Sequence, residues 1–442
     1  MNLQPFIERV ERTKPYRWVG RINKIIGLVV ESQGPAASVG EVVEMRSPDR
    51  RRNVMAEVVG FRDDRTLLMP LGEMNGIAYG DEVVSRGRQL NVRVGQGLLG
   101  RVLDGLGRPI DGKGPIVSAH EMSVHSSAPC PMDRPCIAEA LPTGIRVIDA
   151  LLTCGKGQRV GVFGGSGVGK SVLLGEIAKH TRATVNVIAL VGERGREVQD
   201  FLQHNLQDAL SRSVVIAATS DQPALVRLKG AFVATTIAEY FREQGHDVML
   251  IMDSVTRVAT AMREIGLAIG EPPTTRGYPP SVFAQLPKLL ERAGRNRSGS
   301  ITGFYAVLVE GDDTDEPLSD AVRAILDGHI VLSRRLGSRG FFPAVDIHES
   351  ISRTMPDIVT PDHLAAAQRL KAITYTYREA EDMINIGAYK QGSSPDIDLA
   401  ISMREPTDRF RRQDVNEASD MDADVVRLIE LTAPTLETAG AA

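Results

Sequence analysis

Residues 160–171 read VGVFGGSGVGKS, and the organisation of the chain unfolds outward from them. The apolar run Val160, Val162 and Phe163 stops at Gly164. Four residues follow, and Gly169, Lys170 and Ser171 then open SVLLGEIAKH, a helix-like stretch. A glycine-rich turn with the spacing G-x-x-x-x-G-K-[ST], set between a strand and a helix, cradles a polyphosphate. Its backbone N–H groups point inward, and the helix N-terminus adds the positive end of its dipole. The candidate cradle is Gly164, Gly165, Ser166, Gly167, Val168, Gly169 and Lys170, with Ser171 and Val172 beginning the helix. Lys170 can reach the β- and γ-phosphates, and the Ser171 hydroxyl can ligate Mg²⁺. The stretch implies nucleotide binding.

Composition sets the frame for that reading. The chain has 442 residues, enough for two or three domains. Charged residues make up 24% and hydrophobic ones 42%, as in ordinary globular proteins. A formal net charge of −4 argues against a nucleic-acid surface covering the whole chain. Cys130, Cys136 and Cys154 are too few and too oddly spaced for a zinc site or a disulfide framework, so free thiols in a reducing cytoplasm are expected. The start, MNLQPFIERVERTKPYRW, carries charges throughout and lacks an apolar signal core, and no run approaches a membrane span. Any membrane contact is expected to be peripheral.

Before the phosphate loop, WVGRINKIIGLVVES, VGEVVEMRS, NVMAEVVGF, RTLLMPL and DEVVSRG have the length and turn spacing of a small barrel or sandwich. GRVLDGLGRPIDG (100–112) reads as a glycine- and proline-punctuated connector. After the loop, VNVIALVG, SVVIAATS, VMLIMD and GFYAVLVE are continuous apolar runs separated by helical patterning, such as REVQDFLQHNLQDAL and PALVRLKGAFVATTIAEYFREQG. That alternation predicts an α/β domain whose parallel sheet is covered on both faces, with ligands beyond the carboxyl ends of its strands. After about residue 355 the patterning turns helical, and the final LETAGAA is expected to fray. The predicted domains are 1–88, 89–354 and 355–442.

The strand ends supply the remaining candidates. Asp253 closes VMLIMD and can hold the Mg²⁺ shell opposite Ser171, although capping of the following helix would also suit it. Glu193 follows VNVIALVG in GERGRE and could direct the attacking water; a surface glutamate paired with Arg194 or Arg196 is the competing reading. Arg353, in AVDIHESISRTMPD, could stabilise a transferring phosphoryl group, including one bound by a neighbouring subunit. Phe341 and Phe342 could present a face to a base, or simply fill core.

GRVLDGLGRPIDG, LPTGIRVID, GGSGVGKS, GERGRE, VMLIMDSVTR and PAVDIHESIS, in this order, resemble the catalytic subunits of the F-type/V-type rotary ATPase superfamily. REIGLAIGEPPTTRGYPPSVFAQLPKLLERAG, LVEGDDTDEPLSDAVRAILDGHIVLSRRL and INIGAYKQGSSPDID point within it to the type III protein export ATPases of flagella and injectisomes. The resemblance implies a RecA-like P-loop core between an N-terminal β-barrel and a C-terminal helical domain. It also implies roles: Glu193 as catalytic carboxylate beside Arg194 and supported by Glu197, Asp253 on the Mg²⁺ shell, and Arg257 near the γ-phosphate. Arg353 matches the trans-acting arginine finger, Phe342 the residue stacked on adenine, and Tyr389 a second adenine contact. Phe342 stands where many relatives carry tyrosine; phenylalanine keeps the aromatic face and loses the hydroxyl.

At the level of the assembly, the resemblance implies a homohexamer that hydrolyses ATP with Mg²⁺ at the cytoplasmic face of the inner membrane, in flagellar export. Its expected partners are a central stalk protein, a stator-like regulator, export chaperones and export-gate components, and no nucleic acid. The alternatives are an injectisome ATPase, a catalytic subunit of an F-type/V-type synthase or a Rho-like RNA translocase. The synthase reading lacks the acidic C-terminal loop, and the translocase reading has only Trp18 and few other aromatics in the N-terminal region to stack on bases.

Overall fold

The computed structural model describes residues 18–47, 53–118, 120–309 and 316–433. LETAGAA and the EGDD segment at 310–313 lie outside them. Six strands, β1 (Val19–Ile26), β2 (Val29–Gln33), β3 (Glu41–Arg46), β4 (Asn53–Arg62), β5 (Arg65–Pro70) and β6 (Glu82–Gln89), close a barrel in the order β1-β2-β5-β4-β3-β6. Side chains alternate across a strand, so in β1 Gly20 and Ile22 turn inward between exposed Val19 and Arg21. Ile22, Val30, Val43, Met45, Val58, Leu68 and Val83 fill the interior. Closure leaves no free sheet edge.

A second apolar layer fixes the barrel to the domain below it: Leu67, Met69 and Leu71 meet Leu106, Leu225 and Val226. Lys229, only 3% exposed, crosses the same boundary and lies 2.6 Å from the buried Glu57 carboxylate of β4. Its ammonium also lies 3.0 Å from His125 Nε2. Burial, then the positive charges of Lys229 and Arg292, lower His125 to about 4, so the neutral ring accepts from Lys229.

Past the barrel, β7 (Asn91–Val94) pairs antiparallel with β9 (His120–Ser123), and β8 (Arg101–Asp104) between them joins the central sheet. The other strands of that sheet are β10 (Arg159–Gly164), β11 (Val185–Val191), β12 (Ser213–Ala218), β13 (Asp247–Asp253), β14 (Gly294–Arg295), β15 (Ser300–Leu308), β16 (Gly328–Leu332) and β17 (Val345–Ser352). Their order is β17-β16-β10-β15-β13-β11-β12-β8, with the short β14 alongside β15. Neighbours are parallel except β17 on β16 and β14 on β15. Every residue of β11 and β12 is buried, as the unbroken apolar runs require of a sheet covered on both faces. One face packs on Ala224–Glu243 and Val255–Ile269. The other packs on Lys170–His180 and, through Ala366, Leu370, Phe410 and Leu428, on the C-terminal helices Pro361–Asn385, Pro395–Arg411 and Met421–Thr432.

Two sequence expectations are corrected. The connector at 100–112 contributes β8, the outer strand beside β12, and Asp104 accepts from the amides of Leu106 and Arg108 to turn the chain back. Gly105 permits the close approach: a Cβ there would lie 2.6 Å from Val226 O. The helical stretch REVQDFLQHNLQDAL breaks into Gly195–Asp200, a π-turn Phe201–Asn205 and a 3₁₀ segment Gln207–Arg212. The wide turn presses Asn205 onto Gly175, where a Cβ would lie 2.6 Å from the Asn205 Cβ. Amphipathic spacing sees the face of a helix and not this local change of pitch. Among the described residues no helix is long and apolar enough to cross a membrane.

Candidate active site

β10 runs in the middle of the sheet, paired in parallel with β15 and β16, and delivers Gly164 to its carboxyl end. Gly164 has room for no side chain: a Cβ would approach Val168 Cγ2 to 3.0 Å and Leu332 Cβ to 3.1 Å. Gly167 and Gly169 turn through φ of 80° and 93°, conformations that side-chain-bearing residues rarely adopt. Ser166 and Gly167 stand exposed on the crest of the loop, and Ser171 and Val172 are exposed at the first turn of Lys170–His180. Lys170, 7% exposed, donates to Gly164 O at 2.6 Å and Gly165 O at 2.7 Å. Burial lowers its ammonium to about 8, against the pull of Asp253 and Glu193.

Asp253 ends β13 beside this loop, 5% exposed. Burial raises its carboxyl above the ordinary range, while Lys170 and a hydrogen bond with Ser171 draw it down. The helix that follows is capped by Ser254, whose side chain accepts from Arg257 N, so Asp253 is free of that duty. A paired hydroxyl and carboxylate at the cradle suit Mg²⁺, which takes oxygen ligands and is usually held by one or two carboxylates together with substrate phosphates. Ser171 and Asp253 would supply the protein's share.

Glu193 follows β11 and is half-buried. Burial first, then a hydrogen bond with Glu197 and the charges of Asp253 and Glu197, push its carboxyl well above the usual carboxylate range; Arg257 opposes them. Glu197, on the rim, is lowered by the same hydrogen bond. Of the two, Glu193 is the one held toward the protonated form and Glu197 the one held toward the ionised form. Arg194 points outward, 3.8 Å from Glu197, and Arg196 lies 3.6 Å from Asp200. Neither pairs with Glu193 at ion-pair distance. Ser166, Glu193, Arg194, Glu197 and Arg257 line one cleft of about 820 Å³. Arg263 and Arg334 line it too. No strand end or glycine pattern marked those two arginines in the sequence.

Phe341 and Phe342 part company. Phe341 is buried, whereas Phe342 is 47% exposed and borders an apolar cavity of about 210 Å³ with Val168, Gly169, Val172 and Pro343. Gln413, Asp414 and Val415 close its far side, a contribution that only the fold reveals. Tyr389 does not line this cavity: its hydroxyl donates to Ser394 O at 2.9 Å and Asp398 Oδ1 at 3.0 Å, bracing the entry to Pro395–Arg411. Arg353 is exposed just past β17, with its amide on Asp327 O at 3.0 Å. Ser352 is level with Gly328, which is level with Val160. Arg353 therefore lies at the opposite end of the sheet from its own phosphate loop, roughly 16 Å away along the strands.

Comparisons with known proteins agree along the whole chain. Residues 22–87 match the beta-barrel domain and residues 144–352 the nucleotide-binding domain of the ATP synthase alpha/beta family. Residues 359–430 match the T3SS EscN ATPase C-terminal domain. The flagellum-specific ATP synthase of Bacillus subtilis is 53% identical over 98% of this chain and 99% of its own length. The chain belongs to the ATP synthase alpha/beta family. Its type III branch contains further relatives: the type 3 secretion system ATPase of Xanthomonas euvesicatoria is 49% identical, with 91% of each chain covered. Among solved structures, the assembled ATPase EscN of enteropathogenic E. coli superposes with a TM-score of 0.89 at 45% identity, covering 93% of this chain and 99% of that one. EscN has also been solved in complex with its central stalk EscO. The family's barrel, nucleotide-binding core and helical C-terminal region are those found here, and the chain is an ATP-hydrolysing enzyme of this family.

Proposed function

We propose that the chain works as a ring of identical subunits that hydrolyses Mg²⁺–ATP to energise flagellar type III protein export. The observation that carries the ring is the division of the site across the sheet: Lys170, Ser171, Asp253 and Glu193 meet at one end, and Arg353 stands at the other. An arginine so placed can serve a neighbour's nucleotide and not its own. The flagellar assignment rests on the 53% identity to the Bacillus subtilis protein over nearly the full length.

In this reading Lys170 turns from the loop carbonyls to the β- and γ-phosphates, which the loop amides orient. Bound Mg²⁺ would neutralise charge on the phosphates, with Ser171 and Asp253 as its protein ligands. Glu193 in its ionised form positions the attacking water and takes a proton from it as the water's oxygen bonds to phosphorus. Arg353 of the adjacent subunit stabilises charge on the phosphoryl group as it transfers. Phe342 stacks on the adenine in the apolar cavity. Loss of the γ-phosphate then loosens the contact between subunits and changes the shape of the ring, which unloads export cargo. The partners are a stalk protein comparable to EscO, a regulator at the barrel end, export chaperones and the export gate, at the inner face of the membrane.

Mixing two dead variants tests the shared site. Arg353→Ala should lose about 10³-fold in turnover with nucleotide binding retained, and Glu193→Gln should also be inactive. An equimolar mixture places intact Glu193 next to intact Arg353 at some interfaces and should regain activity. A mixture as inactive as its components overturns the trans assignment.

A further inference from the structure

A second cavity, of about 250 Å³, lies between the nucleotide domain and the C-terminal helices, on the other side of the Phe341–Phe342 segment from the base cavity. It is walled by Arg334–Ser338, β17, Pro361–Asn385 and Pro395–Arg411. Arginines 335, 339, 378, 404, 411 and 412 line it against only three acids, Asp346, Glu381 and Asp408. Glu381 pairs with Arg335 and Arg339, and Asp346 lies 3.6 Å from Arg378. Asp408 must serve both Arg404 and Arg411, each at 4.0 Å, the outer margin of an ion pair. The lining is strongly cationic.

Two donors here are left over. Thr407 is 1% exposed, and among the described residues its hydroxyl has no hydrogen-bond partner. Arg411 is 9% exposed; its Nη2 donates to Val345 O at 3.1 Å, but its Nε likewise has no partner among the described residues. Buried polar atoms are as a rule hydrogen-bonded. These two side chains are four residues apart on one helix, share a face and both line the cavity. The guanidinium groups are held in place by rings: Arg404 stacks 4.3 Å from the Tyr377 centroid, and Arg411 and Arg412 stack 5.0 and 4.9 Å from that of Phe341. Fixed guanidinium donors with a hydroxyl beside them match the several acceptor oxygens of a phosphate. The volume is below the roughly 300–1,000 Å³ of sites for larger ligands.

We propose that this cavity binds a small phosphate-bearing anion, inorganic phosphate or a compact phosphate ester, through Arg411 and Thr407. Binding here is coupled to the nucleotide. Phe341 and Arg412 wall this cavity, while their neighbours Phe342 and Gln413 wall the apolar one, and Gln413 N donates to Phe342 O at 3.1 Å. An anion that orders these two segments acts on both cavities, and the coupling is reciprocal.

The test is calorimetry on the full chain with Mg²⁺ and a saturating non-hydrolysable ATP analogue, which keeps the phosphate loop filled. Inorganic phosphate is the probe in one arm and glycerol phosphate in the other. The expected result is saturable binding of about one anion per chain, weakened about tenfold by Thr407→Val with turnover and melting temperature unchanged. Arg404→Gln, at the rim, should weaken it as well. Phosphate should also shift the dissociation constant of the analogue, and Thr407→Val should remove that shift. Binding of inorganic phosphate alone identifies the free ion as ligand, and binding of both probes identifies the phosphate group; either supports the site. No saturable binding in both arms, or binding indifferent to both variants, overturns it. The binding arms stand whether or not a base occupies the neighbouring cavity.

Discussion

Glu193 and Lys170 carry opposite displacements from the same cause. Burial disfavours charge on each, so the carboxyl is held above the usual range and the ammonium is brought down to about 8. In the proposed mechanism both act charged; with the Glu193 carboxyl raised to about 8 and the Lys170 ammonium lowered to about 8, kcat/KM should rise with pH to a narrow maximum near 8 and fall above it. Glu193→Gln should remove the rising limb and cost about 10²- to 10⁴-fold in turnover, with ATP still bound. Steady-state kinetics across pH read both effects; a rising limb that survives in Glu193→Gln places the base elsewhere. Stability follows the same carboxyl. Its folded pKa lies above its unfolded one, so the folded state holds the extra proton and stability falls as pH rises through that raised value. At this scale the sequence was readable where backbone dictates chemistry: Gly164, Gly167 and Gly169 are glycines because of close approach or positive φ. It was less readable where partners come from afar. The GERGRE motif left Glu193 open between catalysis and a surface pair, and only folding buries it and brings Asp253 and Arg257 to bear on it. Tyr389 matched a base contact by resemblance, and the bond of its hydroxyl to Asp398 could not be read from that resemblance.

Among the elements, the join between the phosphate domain and the C-terminal helices turns on Arg146. Its guanidinium reaches Asp424 Oδ1 at 3.1 Å, Arg412 O at 2.8 Å and the Glu417 carboxylate, and its amide donates to Gln413 Oε1 at 2.8 Å. Asp424 is 1% exposed, and Arg146→Ala would leave its carboxylate only the Ser419 hydroxyl and Arg427 at 3.9 Å, so the change should cost about 3 kcal/mol. Urea unfolding would record this, and Asp424→Asn in the same chain should recover part of the loss; a loss under about 1 kcal/mol would mean the helices are held by apolar packing alone. Strands were the most legible elements, since five apolar runs became β10, β11, β12, β13 and β15 at nearly the expected residues. β8 escaped because four residues between glycines give too little pattern to mark a strand, and its partner β12 lies more than a hundred residues onward.

For the whole molecule, the proposed division of the catalytic centre between chains would make activity depend on association. Specific activity should rise with chain concentration to a plateau, while nucleotide bound per chain stays constant; constant specific activity over a roughly 100-fold dilution would confine the chemistry to one chain. The three-part order of barrel, parallel sheet and helices was legible from changes of period along the sequence. The contacts between the parts were not. Lys229 reads as one more helix residue in the sequence, yet it lies in the seam against Glu57. A deletion that removes the first 89 residues would therefore bare an apolar shelf and leave the Lys229 ammonium facing a neutral imidazole. Nor is the barrel an interchangeable module: a graft from a relative would have to bring a carboxylate at the position of Glu57, or the swap would fail at a point far from any nucleotide.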